Sequence, residues 1–169
     1  MTLAVDQLAQ NVFFYLIAAG IIFGAIRVVT TNNVVHAALH LVIVLAGVGA
    51  TFLLVGAEFT AVTQVLVYIG AIVVLFLFGI MLTRAPIGKA VNLTNRSWAV
   101  GALVAVLLAA VMTYALVDAF GKDNLPDTSA QVTAQVSDAI FGPYLVPFEV
   151  SSILLLAALI GAIVLARKE

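Results

Sequence analysis

The sequence predicts an all-α integral membrane protein of five transmembrane helices, with its N-terminus outside and its C-terminus cytoplasmic, and three observations carry that expectation. Apolar residues make up 64% of the 169-residue chain and charged residues only 9%, more apolar surface than a soluble domain of this size can bury. Those residues gather into five stretches, each near the roughly 20 residues that cross about 30 Å of hydrocarbon as a helix. Finally, Arg27, Arg84, Lys89, Arg96, Arg167 and Lys168 fall on one side of such a bundle and only Lys122 on the other, which by the positive-inside rule makes the first side cytoplasmic.

The same composition excludes several functions. A formal net charge of −1 with so few basic residues leaves no surface for nucleic acid. The chain has no cysteine, so it forms no disulfide and supplies no thiolate to zinc or to an iron–sulfur cluster. Any redox chemistry therefore has to belong to partner chains.

In chain order, the first ten residues read as a short exposed terminus with Asp6 its only charge, and no basic region ahead of a cleavage site marks a signal peptide. The first span, about residues 10–28, ends at Arg27 and offers Gly20 and Gly24 as a small-residue face for helix contact. A polar turn from Thr30 to Asn33 leads into the second span, about residues 34–54, whose far end is slim at Gly47, Gly49 and Ala50. His36 and His40 share a face there, the spacing of two metal ligands on one helix; with no cysteine and no nearby acid, histidines hydrogen-bonded at the interface are the stronger reading. Only Val55 to Ala57 separate the second span from the third, so the two should form an antiparallel hairpin.

The third span, about residues 59–82, carries the chain's most informative pattern. Thr60, Gln64 and Tyr68 recur at every fourth position, one stripe of an α-helix, and beyond Tyr68 the side chains are wholly apolar as far as Leu82. At the changeover stands Gly70, followed by β-branched Ile72, Val73 and Val74, which crowd a helical turn. Two readings stay open at that point. Gly70 either admits a neighbouring helix, with Tyr68 bonded to it, or it marks an irregular turn between about Tyr68 and Val74.

After a polar loop holding Arg84, Pro86, Gly88, Lys89 and Arg96, Trp98 belongs at headgroup level, and the fourth span runs over about residues 98–117. Residues 118–148 form the longest polar segment, with three of the four prolines, and read as an outer loop with a short helix from about Ser129 to Ile140. The fifth span, about residues 149–166, ends at Arg167 and Lys168. Residues 1–169 thus make a single membrane domain. Glu58 and Glu149 sit at the outer ends of the third and fifth spans, where each would complement a helix dipole and cap free amides. No ionisable side chain lies near a midplane, so a pump working alone is not expected.

Three stretches resemble one family. Arg27-Val28-Val29-Thr30 with Asn33, Val35, His36, Ala37 and Leu39, the third span from Ala57-Glu58-Phe59 through Gln64 to Ile72 and on to Phe78, and Pro147 to Ser152 with Gly161 to Ala166 are similar to subunit J of the proton-pumping NADH:quinone oxidoreductase, respiratory complex I. Val34 stands where that family usually has proline, which removes the proline-set start of the second span. The fourth span and the long loop carry no part of the resemblance.

The resemblance implies a membrane subunit with no catalytic residues of its own, which contributes to coupling quinone reduction to proton translocation in a bacterial inner membrane. It implies partners of the H, A, K and N types and surrounding lipid. FMN, the iron–sulfur clusters and quinone are expected on other subunits. It also implies a π-bulge in the third span near Tyr68 and Gly70, with Gln64, Val74, Phe76 and Phe78 as further candidates for a proton path or its gate. Inserting one residue into a turn rotates everything beyond it by about 100°, enough to swing Phe76 or Phe78 across a water path. Related small subunits of a membrane-bound hydrogenase or a multisubunit cation/proton antiporter, and a passive scaffold, are the alternatives.

Overall fold

The computed structural model describes residues 2–83, 97–121 and 132–167, the side chains from residue 8 onward. The expected polar loop between the third and fourth spans, and Lys122 to Gln131 with the expected helix start at Ser129, lie outside the described residues. Everything regular within the described residues is helical. The helices are α1 (Thr2–Thr30), α2 (Val34–Leu54), a third span α3 (Glu58–Leu82), α4 (Trp98–Phe120), the short α5 (Thr133–Phe141) and α6 (Leu145–Ala166). All except α5 are long and apolar enough to cross a membrane. Helices are the element that satisfies every backbone group internally where no water is present.

Three helices pack together, and glycines decide how. A Cβ placed on Gly24 of α1 would lie 2.9 Å from Val44 Cγ2 and 3.4 Å from the His40 carbonyl oxygen, and one on Gly47 of α2 would lie 2.5 Å from Ile21 Cγ1. The two helices therefore meet through one glycine each, in a bilayer where close approach rather than hydrophobic exclusion drives helix pairing. Gly20, expected on the same face as Gly24, has open space in front of it. The crossing is a reciprocal Gly24/Gly47 contact and does not use a single-helix small-residue stripe. Gln10 adds a bond between the same helices, its Nε2 donating to the Leu54 carbonyl at 3.1 Å, and the segment expected as a short exposed terminus is helical from Thr2, with residues 8–10 exposed.

With Val34 in the first position, Asn33 is the device that starts α2. Its Oδ1 accepts from the amides of Val35 and His36 at 3.0 and 3.3 Å, satisfying two of the four donors that a helix start leaves open. The hairpin to α3 is closed by a Schellman turn. Gly56 takes a φ of 75° and its amide donates to Leu53, while Ala57 donates to Phe52. Only glycine adopts that φ without strain, so three residues suffice to reverse the chain.

The other spans stand apart. α4 has no packing partner among the described helices, and α6 touches only α5, which reaches the start of α3. Phe141 and Phe148 meet edge to face, with ring centroids 5.5 Å apart, and tie α5 to α6. Nearly every apolar side chain of α4 and α6 is exposed, as lipid or neighbouring protein permits. α6 begins four residues before Glu149, taking Pro147 into its first turn, where a missing N–H leaves no acceptor unpaired. Glu149 is consequently inside the helix and not at its N-terminus. Glu58 does open α3 and lies in its first turn, where its charge complements the helix dipole, but no side-chain bond caps the start of either helix.

Candidate functional site: the π segment of the third span

α3 is not one kind of helix. Glu58–Thr63 is α-helical, Gln64–Val73 is a π-helix of ten residues, and Val74–Leu82 returns to α. An irregular turn was expected between about Tyr68 and Val74; the observed one starts a full turn earlier and is longer. π-helices are rare and mostly single-turn insertions, so ten residues in a membrane span is an unusual commitment.

The side chains facing α2 show why the register matters. Ala61, Gln64 and Val73 are buried, with Ile69, Leu77 and Ile80 partly so. Between Gln64 and Ile69 the spacing is five residues, the i→i+5 repeat of a π turn, whereas an α-helix would have placed Tyr68 below Gln64. Hence the polar stripe read from the sequence divides. Thr60 is exposed, Gln64 is turned onto α2 at 8% exposure, and Tyr68 is carried off that face at 47% exposure.

Gln64 is the only buried polar side chain among the described residues. Its Nε2 donates to the carbonyl oxygen of Leu45, 3.4 Å away on α2. Gly49 lies beside this side chain: a Cβ there would make ordinary contact, 3.6 Å from Gln64 Cγ and from Val65 Cγ2, and anything larger would press on both. Leaving a buried amide without a partner costs about 1–3 kcal/mol, so the pairing is worth keeping despite its length. The hydroxyls of Thr51, Thr63, Ser151 and Ser152 each donate to the carbonyl four residues back in their own helix, which leaves Gln64 as the polar side chain that joins α2 to α3. Sequence reasoning singled out Gln64 but missed its acceptor. A backbone carbonyl has no signature in sequence, although the slim Gly49 was the available hint.

The remaining candidates point outward. Gly70 is exposed; among the described residues a Cβ there would meet only the Val65 carbonyl, at ordinary contact of 3.5 Å, and no other described helix approaches it. Val74, Phe76 and Phe78 are exposed as well, as are Glu58 and Glu149. His40 directs Nδ1 to the His36 carbonyl at 2.6 Å, so that nitrogen donates within its own helix. No group of three or more His, Cys, Asp or Glu side chains comes together among the described residues.

A multi-pass helical membrane chain, with one span broken by a π segment whose start is tied to its neighbour, is the class that fold and site define. Comparison makes this specific: the profile of NADH-ubiquinone/plastoquinone oxidoreductase chain 6 matches residues 24–165, and the chain belongs to that family. It is 41% identical to F(420)H(2) dehydrogenase subunit J of Methanosarcina mazei, over 95% of this chain and 92% of that one. It is 36% identical to NADH-quinone oxidoreductase subunit J of Pseudomonas aeruginosa, over 92% and 96% respectively. A third relative, the NAD(P)H-quinone oxidoreductase subunit 6 of the Paulinella chromatophora chromatophore, is 36% identical over 99% of this chain and 82% of its own length.

Proposed function

We propose that this chain is a non-catalytic membrane subunit of a respiratory complex I, and that the π segment of its third span helps couple quinone reduction to proton translocation. The observation that carries the reading is the π-helix Gln64–Val73 inside a span whose middle has no acidic or basic side chain and only the Tyr68 phenol. Such a span carries no proton on an acid or base of its own, but a change of register can move Tyr68 and the phenylalanines past a path built with neighbours. Inside the hairpin, α2 and α3 enclose an apolar groove of about 370 Å³ lined by residues such as Gly49, Ala61 and Val65. Tyr68 is exposed and does not line that groove, which leaves its hydroxyl available to a path built with a neighbouring chain.

FMN, iron–sulfur clusters and quinone are assigned to other subunits in this reading, and H-, A-, K- and N-type chains cover α4 and α6. The membrane is a bacterial inner membrane, with the N-terminus outside. The relatives are named for different electron donors, F(420)H(2), NADH and NAD(P)H, so a donor other than NADH is the second reading; the membrane role is the same in both. Topology is checked with cysteines at Ser129 and Lys168 in intact cells. An impermeant reagent should label only Ser129, and labelling only of Lys168 would invert the orientation. Coupling is checked by the proton-to-electron ratio of the assembled complex after substitution in α3, which a passive scaffold leaves unchanged.

A further inference from the structure

We infer that Gln64 is a positioning residue that holds the register of the π segment. Its side chain is anchored on α2 at the first residue of that segment, and the anchor is made of three parts: the Nε2 donor, the Leu45 carbonyl and the slot left by Gly49. A helical carbonyl has a second lone pair free for such a bond. Upstream of Gln64 the helix is clamped by the Schellman turn at Gly56 and by Ala61 buried against α2. Downstream there is no polar tie from Ile69 to Leu82 to another helix among the described bonds. The extra residue is therefore counted from Gln64. While the anchor holds, Ile69, Val73, Leu77 and Ile80 follow it onto α2; in a regular α-helix running on from the same anchor, Tyr68, Ile72, Phe76 and Gly79 would take their places.

At 3.4 Å the bond is long for an N–H donor, which suits an anchor that has to tolerate small movements of the segment it fixes. It differs from a hinge in that the residue itself stays put. The consequence for pumping rests on the coupling reading above, but the register can be read without it.

The test is structure determination of the assembled complex carrying Gln64→Met, which keeps the length and bulk of the side chain and removes the donor. Gly49→Val is the second variant; it keeps the donor and fills the slot. Gly49→Ala is the control, because its Cβ falls at ordinary contact distance. In Gln64→Met and Gly49→Val the ratio of particles with the five-residue spacing from position 64 to Ile69 to those without it should fall about three- to tenfold, as expected for losing or displacing one hydrogen bond. Gly49→Ala should keep it. Retention of the Gln64/Ile69/Val73 pattern in both variants would overturn the inference. A shifted register with an unchanged proton-to-electron ratio would uphold the anchor and refute the coupling role of α3.

Discussion

Gly47→Leu should abolish accumulation of the assembled complex. Even a single Cβ at this position would lie 2.5 Å from Ile21 Cγ1 and 3.1 Å from its Cδ1, and Ile21 is a β-branched residue with little rotamer freedom in a helix. Leucine adds three more carbons to that clash. Overpacking of this kind costs about 1–3 kcal/mol where helices can adjust, and more where they cannot. Here the adjustment is opposed at Gly24, where α1 is already against Val44 and the His40 carbonyl, and by the Gln10 bond to Leu54. Separating α1 from α2 would leave α2 and α3 as an isolated hairpin, since α4 and α6 do not brace them. Blue-native electrophoresis of membranes should show the complex missing or reduced to subassemblies. Gly20→Leu, which faces open space in this chain, separates a clash with α2 from one with a neighbouring subunit: normal assembly would confine the effect to the α1/α2 crossing.

The spans were legible in the sequence because the bilayer demands long apolar runs, and their number and order need no knowledge of packing. Their ends were less so. α6 starts at Leu145 and not near Glu149 because a proline is tolerated in a first turn, and α1 runs back to Thr2 through residues polar enough to read as a free terminus. At the site, Gly70 and the β-branched run did signal an irregular helix, but not where it begins. That is set by a contact between helices, Gln64 to the Leu45 carbonyl through Gly49, whose partners are separated in sequence and of which one is backbone. The four-residue stripe of Thr60, Gln64 and Tyr68 misled for the same reason. It assumed an α-helix through the very residues where the helix is π.

Gly70→Val tests the central claim, that the register of α3 couples to proton translocation. In the π form a Cβ at Gly70 already touches the Val65 carbonyl at 3.5 Å. Valine adds two γ-methyl groups on a branched β-carbon with one preferred rotamer in a helix, and so puts bulk beside that carbonyl. A bias against the π form of roughly 1–2 kcal/mol would change its population relative to the α form by a factor of about 5–30. Gly70→Ala, with no γ-carbons, should stay close to wild type. Because Gly70 is exposed and contacts no other described helix, the α1–α2–α3 packing is not disturbed, and blue-native electrophoresis of the variant should show the assembled complex. The most direct measurement is the number of protons translocated per electron delivered to quinone by the fully assembled Gly70→Val complex in sealed vesicles. A lowered ratio, with the redox centres spectroscopically intact, is the predicted result; a wild-type ratio at wild-type turnover would contradict the account and leave this chain a scaffold.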